Sequence, residues 1–260
     1  MHPVLFRAGE VTIYSYGFFI ALGSLAGMAW LYYKGRKEAG ITLEQTNNLF
    51  LILFAAAFIG GKLFLFFERP AWYFQHPVKL LGGSGFVFYG SMLLAIPVML
   101  WFFKKNKLPS YRMLDVMAGV TCLVHMFGRI GCFMAGCCYG LPSSGFFTVT
   151  FTHAACQARP LHTPLFPSQL AEAAYIGMVF LLLLAVYNKR SFFGQVFLVY
   201  LALYAAGRFV LEYFRGDEER GFLWHNYLSN AQFVSLLLVA VVVYLYPKWK
   251  RKNAVHSFSQ

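Results

Sequence analysis

Seven apolar runs, each about long enough to cross a bilayer, leave this 260-residue chain few folds to adopt. They lie near 13–33, 47–67, 86–103, 113–134, 168–187, 193–214 and 229–246. A hydrocarbon core of ~30 Å takes about 20 residues of helix, and backbone in lipid must satisfy its own N–H and C=O groups. The runs therefore predict helices. Charged residues make up only 12% of the chain, against about 25% in a soluble domain, and no polar stretch is long enough to build a second domain. The expectation is an all-α polytopic membrane protein of about seven transmembrane helices, a single integral-membrane domain over 1–260. A small extracytoplasmic insertion, 136–167, joins spans four and five.

Charge placement predicts orientation. Lys34, Arg36 and Lys37 follow the first run, and Lys104, Lys105, Lys107 and Arg112 lie between the third and fourth. Lys189 and Arg190 follow the fifth, and Lys248, Lys250, Arg251 and Lys252 follow the seventh. Short loops rich in Lys and Arg stay inside, so the N-terminus is expected outside and the C-terminus in the cytoplasm. The alternate loops carry Arg69, Lys79, Arg159 and Arg220, scattered and accompanied by Glu68, Asp217, Glu218 and Glu219. The net charge of +12 is thus an orientation signal; with no basic domain behind it, nucleic-acid binding is excluded. The first run is too long for a signal-peptide core and its positive flank follows it, so no cleaved leader is expected. Trp72, Tyr73, Trp224 and Tyr227 fall at outer boundaries, as interfacial aromatics do. Residues 82–85, rich in glycine, precede the third run, and 148–152 alternate enough to suggest a short strand.

Polar side chains inside the runs are the candidates for chemistry. Arg129 sits in an apolar stretch where a guanidinium costs roughly 2.5–3.5 kcal/mol; the alternative to a functional role is snorkelling to the interface. With it come Tyr16, Lys62, Tyr89, His125, Gln169, Glu172, Arg208, Glu212, Arg215 and Gln232. By the expected topology most lie in the outer half of the membrane and face one outward cavity. His125, Arg129 and Cys132 are spaced i, i+4, i+7 on one helical face, and Arg208, Glu212 and Arg215 repeat that spacing. Such faces form either a buried salt-bridge network or an anion site. Two arginine faces on different spans favour the anion, and lipid phosphate matches both the depth and the guanidinium fork.

Cys122 lies within a span, Cys132, Cys137 and Cys138 at an outer end, and Cys156 in an outside loop. A disulfide among the outer ones is open in an oxidising compartment. Their spacing departs from the paired C-x-x-C of zinc sites, so no metal or other cofactor is expected. A redox or acyl-carrying thiol pair beside Arg129, and plain packing of small residues, both stay open.

Several motifs stand in order along the chain: Tyr16-Gly17, Gly60-Gly61-Lys62, Gly128-Arg129-Ile130-Gly131-Cys132-Phe133 and Tyr139-Gly140. Pro167-Ser168-Gln169-Leu170-Ala171-Glu172, the block from Arg208 to Arg215, and Leu228-Ser229-Asn230-Ala231-Gln232 follow. Together they resemble the prolipoprotein diacylglyceryl transferase family. The resemblance implies a multi-pass enzyme of the bacterial inner membrane with its active site on the extracytoplasmic side. It would move the diacylglyceryl group of phosphatidylglycerol to the cysteine thiol of a prolipoprotein signal peptide, releasing glycerol phosphate. On that reading Arg129 and Arg208 hold the phosphate, Glu212 and Arg215 orient them, and Gly140 shapes the lipid exit. Tyr16, Lys62, Cys132, Gln169, Glu172 and Gln232 complete the lipid-binding set.

Three departures bear on the acceptor and the base. Phe88-Tyr89-Gly90 stands where the family has Phe-His-Gly, Cys132 replaces an asparagine, and Gly136-Cys137-Cys138 replaces Gly-Glu-Leu. A phenol titrates near ~10 and is a poor base at neutral pH. Tyr89 and His125 are both candidates for the base, and His125 is equally readable as a histidine satisfied in helix packing. The competing functions are a paralogous lipid transferase with another acceptor and a non-catalytic lipid- or anion-binding membrane protein.

Overall fold

A computed structural model describes residues 2–9, 11–68, 70–76, 88–216, 222–223 and 227–253. Arg69, Lys79, residues 82–85, residues 217–220 and Trp224, used above as loop and boundary signals, lie outside the described residues. The chain divides into two compact units, one made of Met1–Trp30 with Leu114–Gln260, the other of Leu31–Met113. The described residues are mostly helical, and among them six helices are long and apolar enough to cross a membrane. Their outer faces carry Leu51, Phe54 and Val243, each about two-thirds exposed or more. Apolar surface on that scale is a lipid face.

The first unit opens with an antiparallel hairpin, β1 (Val4–Ala8) and β2 (Val11–Tyr14), turning at Gly9 with φ +57. The first apolar run thus starts as strand, and helix α1 (Ser15–Ala39) begins only at Ser15, whose N–H donates to the Pro3 carbonyl at 3.0 Å. Alternation in Val11–Tyr14 runs without a break into the helical run, which hides the boundary in the sequence.

The other helices of this unit are α5 (Ser110–Ala135), α6 (Ser168–Lys189), α7 (Gln195–Leu211) and α8 (Asn230–Lys252). Small residues bring α1 against α5. A Cβ on Gly23 would lie 2.8 Å from the Phe127 Cβ, and one on Gly131 3.2 Å from the Tyr16 carbonyl; close backbone approach of this kind drives helix association in lipid. Ala118 and Cys122 of α5 pack with Ile176, Val179 and Leu183 of α6 and with Val196 and Tyr200 of α7. Asp115, buried on α5, accepts the N–H groups of Gly194 (2.9 Å) and Phe197 (3.0 Å). A carboxylate borrowed from one helix thereby satisfies the orphan donors of another's N-terminus and complements its dipole.

Between α5 and α6 the expected insertion forms a small head. β3 (Val149–Thr150) pairs with β4 (Pro164–Leu165), a fragment of the strand read at 148–152. Phe151, Cys156, Ala158 and Leu165 form its core.

In the second unit α1 ends at Gly40, φ +68, whose N–H donates to the Arg36 carbonyl at 3.0 Å. Thr42 and Gln45 form a reciprocal capping pair at the start of α2 (Leu43–Glu68). The short α3 (Pro70–Gln75) and α4 (Phe88–Lys105) follow. The third apolar run becomes α4, 18 residues long, which continues through Pro97 and is not among the six. α2 and α4 cross where Gly60 meets Gly90: a Cβ at Gly60 would sit 2.4 Å from the Gly90 carbonyl oxygen.

Candidate functional site

Two arginine–glutamate pairs lie at the ends of α5, α6 and α7 that adjoin the head. His125 and Arg129 stand one turn apart on α5, and Glu172 faces them from the first turns of α6. The Glu172 Oε1 lies 3.0 Å from Arg129 Nη2 and 3.0 Å from His125 Nε2. Arg129 Nε donates to His125 Nε2 at 3.2 Å. That ring nitrogen has one in-plane position, serving either as lone pair for Arg129 or as N–H for Glu172. Either way it is held inside the triad, and the ring edge packs on Tyr204 with centroids 5.7 Å apart.

On α7, Arg208 Nη2 pairs with Glu212 Oε2 at 2.7 Å, and Arg208 is close enough for its charge to act on Glu172. Two cations and two carboxylates balance, which lets the cluster persist away from water; removing one partner of such a pair costs about 3–5 kcal/mol. Among the described residues, buried Arg208 Nη1 has no hydrogen-bond partner, and neither has buried Gln169 Oε1. A buried, unsatisfied donor of that kind costs roughly 1–3 kcal/mol and is what a ligand would relieve.

The head is tied onto this cluster through Pro167-Ser168-Gln169. Gln169 Nε2 donates to the Cys137 carbonyl at 2.7 Å and Ser168 Oγ to the Cys138 carbonyl at 2.8 Å. Gly140 N–H donates to the Phe166 carbonyl at 3.0 Å, and Leu141 N–H to that of Phe214 at 3.0 Å. A Cβ on Gly140 would come within 2.4 Å of the Phe166 oxygen and 2.8 Å of the Phe214 oxygen. Only glycine fits where these three backbones meet.

The cysteines converge. Helix α5 stops at Gly136, φ +77, with the Gly136 and Cys137 N–H groups both returning to the Cys132 carbonyl. Cys138 then adopts φ +56, a left-handed conformation costing a side-chain-bearing residue about 1 kcal/mol or more. The result brings the sulfurs of Cys132, Cys137 and Cys138 all within 4.8 Å of one another. Spacing along the chain argued against a metal, yet the turn erases that argument by folding Cys137 and Cys138 back over Cys132. All five cysteines are free thiols. Hydrogen bonds from the Cys132 and Cys137 thiols, with the charges of Arg129 and Arg215, hold the Cys138 thiol below the usual thiol range. Tyr16, in the first turn of α1, lies within electrostatic reach of the trio and of Arg129.

Four expected residues have settings of their own. Helix α7 ends at Leu211, a 3-10 turn carries Glu212–Phe214, and Arg215 is extended in a bridge with Gly140. The i+7 position therefore leaves the helical face of Arg208 and Glu212. Gln232 serves α8 as half of a capping box: Ser229 N–H donates to its Oε1 at 3.0 Å, and its own N–H donates to Ser229 Oγ at 3.2 Å. Ser-x-x-Gln is the sequence signature of such a cap, so this role was readable. Lys62 (buried, on α2) and Tyr89 (half-exposed, first turn of α4) belong to the second unit. Sequence reasoning missed Ser168, whose hydroxyl holds the cysteine turn, and Asp115, whose partners are too distant in sequence to suggest it.

By class, then, this is a polytopic helical membrane protein with a buried arginine–glutamate cluster whose spare guanidinium nitrogen suits an anion. The chain belongs to the prolipoprotein diacylglyceryl transferase family, whose model matches residues 3–247. It is 35% identical over 248 residues to the phosphatidylglycerol–prolipoprotein diacylglyceryl transferase of Clostridium tetani, covering 95% of this chain and 97% of that protein. A second enzyme of that name from Clostridium perfringens is 30% identical, covering 95% and 94%. The one from Dehalococcoides mccartyi is 29% identical, covering 97% and 96%.

Proposed function

We propose that this chain transfers the diacylglyceryl group of phosphatidylglycerol to the cysteine thiol of a prolipoprotein signal peptide, releasing glycerol phosphate. The observation that carries this is the pairing of Arg129 and Arg208 with buried carboxylates while Arg208 Nη1 is left without a partner among the described residues. The leaving phosphate gains negative charge as its bond to the glycerol carbon breaks. Preorganised cations in a site shielded from water stabilise such charge without reorganising. Arg129 and Arg208 hold the phosphate, Glu172 and Glu212 fix their guanidinium planes, Arg215 adds positive charge, and Lys62 binds the lipid. Gln169 and Tyr16 hydrogen-bond the lipid headgroup, and Gly140 lets the head close beside it. Beyond Arg208, Ala205, Ala206, Phe209 and Val210 of α7 with Leu236 and Val239 of α8 line an apolar groove of about 230 Å³, which suits an acyl chain.

His125 is a positioning residue, because its Nε2 is committed to Arg129 and Glu172. Tyr89, standing where the resemblance has a histidine, takes part in proton transfer. Cys132 borders the headgroup, and Gln232 acts through the cap of α8. The chain is one integral-membrane domain in the bacterial plasma membrane, with α4 as a seventh span. Its N-terminus is outside, its C-terminus is inside, and the site faces the extracytoplasmic leaflet. Accessibility of a tag at each terminus in intact cells tests that orientation; both tags reached from one side would reverse it.

Purified protein given phosphatidylglycerol and a cysteine-bearing lipoprotein signal peptide is expected to release glycerol phosphate and leave a diacylglyceryl thioether on the peptide. Lipid consumed while the peptide stays unmodified would instead support the paralogous transferase, which the departures at Tyr89 and Cys132 favour as a second reading. Lipid bound and never consumed would support a binding protein.

A further inference from the structure

We propose that Cys132, Cys137 and Cys138 bind a thiophilic divalent cation of the zinc type, whose open fourth position takes the sulfur of the acceptor peptide. This deepens the transferase reading and rests on it.

Three soft donors meet at one point. Ligands 2.3 Å from a shared ion stand roughly 3.7–4.0 Å apart, which sulfurs lying within 4.8 Å of one another meet with small rotamer adjustments. The backbone is bent to make this happen. Consecutive side chains of an extended chain point to opposite sides, and the left-handed φ of +56 at Cys138 turns its sulfur back beside that of Cys137. That strained turn is held by the Ser168 and Gln169 side chains on the Cys138 and Cys137 carbonyls. Hydrogen bonds from the protein to the backbone behind the donors fix ligand orientation in metal sites. Cys122 and Cys156, by contrast, are fully buried among apolar neighbours.

Three protein ligands with a fourth position open is the arrangement of a catalytic zinc site, and four would close it. A thiol that coordinates such an ion loses its proton outright. Transfer to a thiol needs a thiolate, and the ordinary bases here are poorly suited: His125 is locked between Arg129 and Glu172, and Tyr89, a phenol, can relay a proton but not draw one from a neutral thiol. The cation removes that difficulty. On binding the ion the peptide thiol gives its proton to solvent. Its sulfur then displaces glycerol phosphate from the glycerol carbon that carried it. The C–S bond forms as the C–O bond breaks, and the bonding pair stays on the phosphate oxygen. The ion keeps its oxidation state. Arg129 lies close enough to the thiols for its charge to act on them, so nucleophile and leaving group share one neighbourhood.

The full-length protein, reduced and stripped of metal, is titrated with Co2+ alone. One equivalent is expected to give a thiolate-to-cobalt charge-transfer band. Adding the signal peptide is expected to shift the visible bands, while the same peptide with serine for cysteine leaves them unchanged. Cys138→Ser is expected to weaken Co2+ binding at least about tenfold. In the transfer assay the metal-free wild type is expected to lose most of its rate and regain it with Zn2+. Absence of the charge-transfer band, or an undiminished rate in metal-free protein, overturns the metal site and leaves the transferase reading standing. If no thioether forms in any metal state, the transferase reading falls, and with it the catalytic role given to the ion; the band then reports a metal site alone.

Discussion

Arg208→Lys separates a phosphate-binding guanidinium from a structural one. Arg208 uses Nη2 on Glu212 at 2.7 Å and holds a buried Nη1 with no partner among the described residues. Lysine keeps the charge opposite Glu212 but offers one compact ammonium in place of two separate N–H arms. The substitution therefore removes one charge-assisted hydrogen bond to phosphate, worth roughly 1.5–3 kcal/mol. At about 1.4 kcal/mol per tenfold, kcat/KM for phosphatidylglycerol falls roughly 10- to 150-fold. Alanine is the wrong probe, because stripping Glu212 of its cation costs about 3–5 kcal/mol of stability and confounds the rate. The assay is release of glycerol phosphate at saturating peptide, read beside the unfolding midpoint in detergent. Wild-type kcat/KM in Arg208→Lys, or a rate loss that follows loss of folded protein, refutes the phosphate role.

Glu172→Gln leaves Arg129 without its counter-charge and is expected to lower stability by about 3–5 kcal/mol; an unchanged unfolding midpoint would mean the triad is not buried as described. Gly140→Ala forces a methyl into two carbonyl oxygens and is expected to cost roughly 1–3 kcal/mol or more. Faster proteolysis within 141–163 would report it, and wild-type resistance would argue against the three-backbone junction. Tyr89→Phe is expected to lower kcat roughly a hundredfold through lost proton transfer, with KM for lipid little moved; a wild-type kcat would remove Tyr89 from the proton path.

The helices were legible because lipid would impose one rule on every residue of a run, and they follow the apolar runs to within a few residues at most ends. Where a boundary depends on pairing instead, the pattern was silent: the β1–β2 hairpin borrows apolar residues continuous with α1. The charged cluster was legible in membership, since each buried ion announces its cost, but not in partnership. Spacing suggested that Arg215 continues the face of Arg208, and the 3-10 turn after Leu211 rotates it away to Gly140. The thiol cluster was invisible for a related reason. Its geometry depends on left-handed backbone at Gly136 and Cys138, and only the glycine hinted at it.

The most direct test is the structure of this protein with phosphatidylglycerol bound. Arg129 and Arg208 are both expected within hydrogen-bond distance of a single phosphate, with Arg208 Nη1 satisfied by one of its oxygens. A phosphate lying against only one arginine, or headgroup density elsewhere while Arg208 Nη1 stays unsatisfied, would contradict the two-arginine site.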